Sequence, residues 1–444
     1  MIPKQINYEQ MKLQTILLSL SVIFATCISA QEKPQQWNLT NCIDYALKNN
    51  IQIQQSKITL ETSAVTTKQA KAQLFPNLTA SINQNYTNSP FAPSNVYSGN
   101  YGINSSLLVF DGGKTVKNIQ EQKLAEQANQ FSVLASEKNI QLSILQYYLQ
   151  ILYANESVKI DQSTLDVSKF QLERGQSLLK AGSISRTDLA QLESQCSTDK
   201  YQLVTAQNTL SSDKLQLKQL LELAAADEIN IVIPELNNVD ILKPLPSLQS
   251  IYERSLNVMP AIKTNKLNIQ IASLETEKAK AAYYPTISLN ASAGTSHTTI
   301  SNFNFGNQLK DGLNEGIGLS VSIPILTYRQ TKSTVEKAIL SEKTSKLNLQ
   351  DAEKTLLKEV ESAFQDALSA QSQYLAAEEK VKALQTSYDL IDQQYKLGMK
   401  NTLELLTEKN NLLAAQQNML QAKYLSIMNM QMLKLYQDLP LEIK

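Results

Sequence analysis

The side chains best suited to chemistry are few, and their spacing argues against a catalytic or metal site. His297 is the only histidine in the chain, whereas a structural zinc site needs about four ligands. Asp111-Gly112-Gly113 lacks the rest of a phosphate-binding loop and fits better as the end of a strand followed by a helix. A group of methionines near the C terminus could bind a soft metal, although flexible core packing is the commoner use of methionine. These are Met419, Met428, Met430 and Met432. We therefore predict no enzymatic activity, no metal and no cofactor.

Two glycines are each followed, six residues later, by a carboxylate. Gly182 precedes Asp188, and Gly398 precedes Glu404. A glycine commonly ends a helix by adopting a left-handed conformation. The residue three positions before each carboxylate is a good N-cap, so both segments fit a capping box that stabilises the start of the next helix by about 1 kcal/mol. The two N-cap residues are Ser185 and Asn401.

The charge balance and composition limit the partners of this chain. The 444 residues include 41 basic and 41 acidic ones. A nucleic-acid partner is excluded, because contacts to backbone phosphates require a basic surplus. The hydrophobic content of 42% is ample for a large folded chain.

Residues 1–30 have the features of a secretory signal peptide: a basic start, a short apolar run and small residues before the cleavage point. Met11 is a second candidate for the first residue. Cys27 suggests a lipoprotein, but the residues before it match a lipobox poorly. Once this segment is removed, Cys42 and Cys196 are expected to be two lone thiols.

The distribution of helix breakers predicts long helices and an internal duplication. The chain has only 12 glycines and 12 prolines, which leaves long stretches uninterrupted. Ala70–Pro76 matches Ala279–Pro285 at an offset of 209 residues, and Gly182 matches Gly398 at an offset of 216. The predicted organisation is a first repeat at 31–226, a linker at 227–246 and a second repeat at 247–444.

Each repeat contains two predicted strands in which apolar and small polar residues alternate. They lie at 77–87, 100–110, 286–295 and 316–326. Strands of membrane barrels need roughly 9–11 such residues, although strands of a soluble sheet alternate in the same way. Aromatic clusters at both ends favour the membrane alternative, because such clusters mark membrane interfaces. One cluster is Phe75, Phe110, Tyr283, Tyr284 and Tyr328, and the other is Tyr86, Phe91, Tyr97, Phe303 and Phe305.

Very long helices follow the strands, at 114–180 and 330–397. At 1.5 Å per residue each spans roughly 100 Å, and apolar residues recur three and four positions apart, as in a coiled coil. Shorter helices return after the glycine turns, so each repeat ends in a long hairpin. The predicted hairpins are 114–226 and 330–437.

Four strands cannot close a barrel, and unpaired strand edges are not tolerated in lipid. If the strands lie in a membrane, the chain must therefore form oligomers. Three copies would supply twelve strands, together with enough helices to enclose a water-filled tube.

This combination resembles the TolC outer membrane efflux protein family from Gln31 to the C terminus. The shared motifs are Ala-Lys-Ala-x-x-(Phe/Tyr)-Pro before a strand, Val109-Phe110-Asp111-Gly112-Gly113 after one, and Gly-x5-(Asp/Glu) at both hairpin tips. The resemblance implies a mainly α fold with a β-barrel portion, in which a homotrimer forms an outer-membrane β-barrel continued by a periplasmic α-helical barrel. It implies a passive exit duct that docks with a periplasmic adaptor and an inner-membrane transporter.

The resemblance also assigns roles at the hairpin tips. It implies adaptor docking at Gly182, Ser183, Gly398 and Met399, and a periplasmic gate that involves Thr187, Asp188, Tyr395, Lys400, Glu404 and Thr407. The sequence departs from the family pattern at two positions. Thr407 stands where a second acidic residue is expected, and Lys400 replaces the usual arginine, so a double acidic ring that binds cations is not expected. Helix capping alone, and capping combined with gating, both remain open for the two carboxylates.

A periplasmic coiled-coil adaptor is the alternative function. Adaptors have a single hairpin inserted in Gly-rich β modules, whereas this sequence predicts two hairpins and no such modules. An exported enzyme is a third possibility, but the sequence offers no nucleophile–base pair or metal ligand set.

Overall fold

The computed structural model describes residues 36–88, 95–234 and 241–443. The predicted signal peptide at 1–30, Cys27 and the aromatic residue Phe91 lie outside these described residues.

Each half of the chain has two short helices, a pair of strands and a long helical hairpin. The first half contains α1 (Leu39–Asn49), α2 (Ile51–Ala72), β1 (Asn77–Thr87), β2 (Val96–Phe110), α3 (Lys114–Lys180) and α4 (Arg186–Leu220). The second half contains α5 (Leu248–Val258), α6 (Pro260–Ala281), β3 (Thr286–Thr298), α7 (Phe305–Asp311), β4 (Asn314–Ser322), α8 (Gln330–Lys396) and α9 (Thr402–Tyr436).

Corresponding helices of the two halves have equal lengths. The short pair has 11 and 22 residues in both halves, the long helix has 67 and the return helix has 35. The seven-residue helix α7 between β3 and β4 has no counterpart among the described residues of the first half. Among the described residues, the two halves therefore differ mainly by this helix between β3 and β4.

Asn50 separates α1 from α2. Its side-chain oxygen accepts hydrogen bonds from the N–H groups of Gln52 and Ile53, at 3.0 and 3.3 Å, and its amide donates to the carbonyl of Leu220 at 3.0 Å. At the corresponding break in the second half, Pro260 opens α6. Proline suits this first helical position because its missing N–H would have no partner inside the helix.

The four strands form one antiparallel sheet in the order β1-β2-β3-β4. Ile103 of β2 pairs with Ala80 and Ala293, and Leu289 of β3 pairs with Leu319 of β4. Because side chains alternate along a strand, this register gathers the apolar residues of all four strands on one side, here called the apolar face. Its larger members are Leu78, Ile82, Ile103, Leu107, Leu289, Ile317, Leu319 and Val321.

Several predicted element boundaries are wrong by a few residues. β2 begins at Val96, four residues early, and β3 continues to Thr298, so that His297 lies in a strand and not in the predicted loop. β4 begins at Asn314 and ends at Ser322 instead of 326, because Pro324 has no N–H to donate to a neighbouring strand.

The first return helix also ends earlier than predicted, at Leu220 instead of 226. Glu222 follows it with a φ of 55°, and the N–H of Leu223 donates to the carbonyl of Lys218 at 3.1 Å. A left-handed residue of this kind closes a helix.

The main hydrophobic core lies where the short helices pack against the middle of the long ones. One part surrounds Ile144, Tyr148 and Leu152 of α3, and a second surrounds Val360 and Ala367 of α8. The predicted lone thiols are confirmed: Cys42 and Cys196 are free. Burial raises the pKa of the Cys42 thiol to about 12, which leaves it unreactive. In the parts of the chain that the structure describes, no helix is both long enough and apolar enough to cross a membrane.

Candidate functional site: the hairpin tips and the seam above them

Each hairpin reverses direction at a glycine with a left-handed backbone. Gly182 has a φ of 73° and Gly398 a φ of 74°. In each turn the N–H after the glycine donates to a carbonyl in the last turn of the preceding helix, which is the Schellman arrangement. The pairs are Ser183 with Leu178 and Met399 with Gln394, both at 2.9 Å. We refer to residues 181–188 as the first tip and to residues 397–404 as the second tip.

The first tip contains the predicted capping box. The N–H of Asp188 donates to the hydroxyl of Ser185 at 3.1 Å, and the N–H and hydroxyl of Ser185 donate back to the Asp188 carboxylate at 3.0 and 2.6 Å. The hydrogen bonds from Ser185 hold the pKa of this carboxyl below its usual range, and a hydrogen bond from Thr402 of the second tip lowers it further. Asp188 therefore caps its own helix and also contacts the neighbouring hairpin.

The second tip contains the same capping box with a cation added. The N–H of Glu404 donates to the side chain of Asn401 at 2.9 Å, and the N–H of Asn401 donates to the Glu404 carboxylate at 3.0 Å. Lys400 donates to the other carboxylate oxygen at 2.5 Å. The hydrogen bond from Lys400, followed by that from Asn401, lowers the pKa of Glu404. One carboxylate thus serves as a cap and as half of an ion pair.

The remaining residues predicted at the tips do not form one cluster. Thr187 is exposed, and Thr407 is exposed with its hydroxyl donating to the carbonyl of Leu403 in its own helix. Tyr395 is buried, and its hydroxyl has no hydrogen-bond partner. Ser183 and Met399 are exposed at the ends of the hairpins, where they are accessible to a partner.

Two hydrogen bonds join the hairpins a little above the tips. Arg174 of α3 donates to the carbonyl of Lys396 at the end of α8, at 3.2 Å. Gln171 of α3 donates to the hydroxyl of Tyr388 in α8, at 3.1 Å. An open groove of about 760 Å³ lies beside them between α3 and α8, with Phe170 among its lining residues.

Sequence reasoning missed a buried charged group farther up the hairpins. Lys409 of α9 forms an ion pair with Asp199 of α4, and Ser168 of α3 hydrogen-bonds to both of them. The two charged side chains are only 5% and 2% exposed. We call these three residues the buried triad, which joins three helices from two hairpins.

The buried triad is the lowest of several polar contacts between α3 and α9. Above it, Gln417 donates to Asp161 at 3.1 Å. Higher still, Lys423 donates to Glu156 at 3.0 Å. Burial, together with the nearby charge of Asp199, raises the pKa of Asp161. We call this line of contacts the polar seam.

The position of Lys409 in the heptad pattern is the signal that could have revealed the buried triad. Lys409 stands four residues after Leu405 and three residues before Leu412, both of which are buried. Asp199 has a similar place, seven residues after the buried Leu192. A charge at an apolar position of a coiled coil requires a partner on the facing helix. In the described part of the chain, no group of three or more His, Cys, Asp or Glu residues is arranged to hold a metal ion.

Comparison with known proteins gives a consistent result. The model of the family described as "Outer membrane efflux protein" matches residues 42–222 and again residues 251–435. The outer membrane efflux protein BepC of Brucella suis is 23% identical over 422 residues, which are 94% of this chain and 89% of BepC. The outer membrane protein TolC of Escherichia coli is 24% identical over 439 residues, which are 94% of this chain and 84% of TolC.

A solved structure supports the same fold. The crystal structure of the outer membrane protein VceC from Vibrio cholerae superimposes with a TM-score of 0.72 at 17% sequence identity. The match covers 90% of this chain and 94% of that chain.

Proposed function

This chain belongs to the outer membrane efflux protein family and is an outer-membrane exit duct of an efflux or secretion system, and we propose that it works as a homotrimer docked to two partners. Three copies would place twelve strands in the outer membrane and their helical hairpins in the periplasm. A periplasmic adaptor and an inner-membrane transporter would supply the substrate and the energy.

The exposed apolar face of the four-stranded sheet is the observation that carries the trimer proposal. Leu78, Ile317 and Leu319 are more than half exposed, as in a strand that faces lipid. On the opposite face the hydroxyl of Ser106 donates to the side chain of Asn290 at 2.8 Å, a polar lining suited to a water-filled lumen. β1 and β4 are the edges of the sheet. Edges of this kind require pairing with other copies in lipid.

We further propose that the chain is a duplicated unit with a signal peptide at 1–30, repeats at 31–226 and 247–444, and a linker at 227–246. The equal lengths of the four corresponding helix pairs support this division. Each repeat would contribute one hairpin to the periplasmic tube.

The hairpin tips are our proposed contact with the adaptor and our proposed gate. Exposure of Ser183 and Met399 supports docking at the ends of the hairpins, and the groove between α3 and α8 offers additional surface there. For the gate, the proposal assigns the charged role to Lys400 and Glu404. It assigns supporting contacts to Thr187, Asp188, Tyr395 and Thr407.

The proposal includes no catalytic step, because transport through a passive duct requires none. The alternative function, a periplasmic adaptor, is set aside because the family match covers both halves of the chain and its relatives are outer membrane proteins.

The test is the mass of the native complex extracted from outer membranes in detergent, where three chains are expected and one or two would contradict the proposal. Adjacent residues of β4 provide a matched pair of variants. Leu319→Arg places a charge on the apolar face, which costs roughly 2–4 kcal/mol near the bilayer midplane, and should greatly reduce trimer yield. Ser320→Arg points to the other face and should leave the yield near that of the wild type. Equal yields would show that the apolar face does not contact lipid.

A further inference from the structure

We propose that the buried triad of Ser168, Asp199 and Lys409 is a latch that holds the second hairpin against the first and thereby keeps the periplasmic gate closed. This inference rests on the proposed function of the tips. It assigns gate control to a contact inside one chain that lies above the two tips.

The buried triad has the burial and connectivity that a latch requires. Lys409 comes from the second hairpin, whereas Asp199 and Ser168 come from the two helices of the first hairpin. Gln195 donates to the other oxygen of Asp199 at 2.9 Å. Gln195 and Asn410 also exchange hydrogen bonds across the same interface, at 3.1 and 3.2 Å. The ion pair is thus almost fully buried, and both carboxylate oxygens of Asp199 accept hydrogen bonds.

Removing one member of this ion pair and replacing both members have very different energetic costs. Removing one member of a buried ion pair leaves an uncompensated charge in a low-dielectric site and is strongly unfavourable. Replacing both members by apolar side chains of similar size is often neutral. Movement of α9 away from the first hairpin would expose a lone charge to water, so a single substitution favours the separated arrangement.

The polar seam restricts the direction of this movement. Glu156, Asp161 and Ser168 succeed one another along α3, while their partners Lys423, Gln417 and Lys409 run in the opposite direction along α9. Sliding α9 by one helical turn would break all three contacts together. Swinging its lower end outward leaves the two upper contacts in place and breaks only the buried triad and the adjoining hydrogen bonds between Gln195 and Asn410. Opening by an outward swing is therefore the movement that the latch controls.

Below the buried triad, the contacts between the hairpins lie nearer to solvent. Arg174 bonds to the carbonyl of Lys396 at an exposed site, and the Lys400–Glu404 pair lies within the second tip itself. Breaking an exposed ion pair costs little energy, whereas removing one partner of a buried pair is strongly destabilising. The buried triad is thus the strong polar contact closest to the gate.

The test measures the single-channel conductance of purified trimers in planar bilayers, at a temperature well below melting. Lys409→Met and Asp199→Leu should each raise the conductance several-fold. The double variant should return it to the wild-type level, which is the non-additive result expected for a buried pair. Ser168→Ala is a milder change that keeps the ion pair, and it should give a smaller rise in conductance. It replaces the single charge variants in this test if they do not assemble into trimers.

Two controls separate a latch from a general loss of stability. Lys346→Met removes a lysine from an exposed ion pair with Glu342 within α8 and should leave the conductance unchanged. Leu145→Ala opens a cavity in the main core and should lower the trimer melting temperature without raising the conductance.

Wild-type conductance in every variant that forms trimers would overturn the latch. An equal rise in conductance in Leu145→Ala, accompanying its lower melting temperature, would overturn it as well. A wild-type protein that forms no conducting trimer would instead overturn the proposed function, so the two failures are distinguishable.

Discussion

The two hairpin tips share one backbone and differ in chemistry. Both follow a 67-residue helix, reverse at a left-handed glycine and start a 35-residue helix with a capping box. The first tip continues from its glycine into Ser183, and its carboxylate is held by hydroxyl groups and backbone. The second tip continues into Met399 and Lys400, and its carboxylate is held by a cation. The reversal of the chain thus requires the glycine and the capping residues, whereas the residues between them are not constrained by the turn and can differ in function.

The largest expected effect comes from straining the shared backbone. Gly398→Val and Gly182→Val force a β-branched residue to a positive φ, at roughly 1–3 kcal/mol. An added Cβ meets nothing within 4 Å at either glycine, so the strain is confined to the turn. Because both tips are proposed to dock, each variant should strongly reduce export, measured as drug resistance of the producing cells, with nearly normal trimer yield.

The matched control for this change is Gly306→Val. That glycine has an ordinary φ, and an added Cβ would make only ordinary contacts. Export that survives both tip variants would count against docking at the tips. Loss of trimer would point to a folding role instead, and loss of export in only one variant would assign docking to that tip.

An intermediate effect is expected from the charge that distinguishes the second tip. Three copies would bring three Glu404 carboxylates near one axis, where like charges repel unless a nearby cation balances them. Lys400→Ala should therefore raise single-channel conductance, and Glu404→Gln should alter cation selectivity. Lys382→Ala, which removes a lysine from an exposed pair with Glu378, is the control.

Melting temperatures measured on the same proteins separate gating from capping. If both tip variants conduct like the wild type and only Glu404→Gln melts earlier, Glu404 is a cap and the gate lies elsewhere. The two tips would then differ in sequence without differing in function.

Much of this fold could be predicted from the sequence because its determinants are local. The glycines at 182 and 398, the capping boxes and the alternation of the strands are all read within about ten residues. The family resemblance is confirmed by the match to both halves. The position of His297 was missed because it depends on a distant neighbour: Gly99 has no side chain, which leaves room for the imidazole ring on the facing strand.

The buried triad was missed for the same reason. Lys409 and Ser168 are 241 residues apart in the chain, and no local pattern indicates which helix supplies the partner of a charge. A single sequence shows that Lys409 occupies an apolar position. It does not show that Asp199 lies opposite, because that depends on how two hairpins pack.

The smallest expected effect is in the acid stability of the tips. The pKa values of Asp188 and Glu404 are both lowered in the folded state. A lowered carboxyl pKa contributes stability that is fully present above the unfolded value, near 4, and is lost as pH falls through the folded value. Both helix starts should therefore lose protection from amide hydrogen exchange in acid, below about pH 4, after correction for the intrinsic exchange rate.

Salt should separate the two tips in this measurement. The main cause of the lowered pKa is the cation of Lys400 at Glu404 but the neutral hydroxyl of Ser185 at Asp188. At 1 M salt the Debye length falls to about 3 Å, which screens an exposed ion pair more than a hydrogen bond between neutral and charged groups. The acid loss of protection should move to higher pH at the start of α9 and stay in place at the start of α4. Glu404→Gln should abolish the salt effect, since glutamine has no charge to screen, whereas equal shifts at both helix starts would mean that Lys400 does not set the pKa of Glu404.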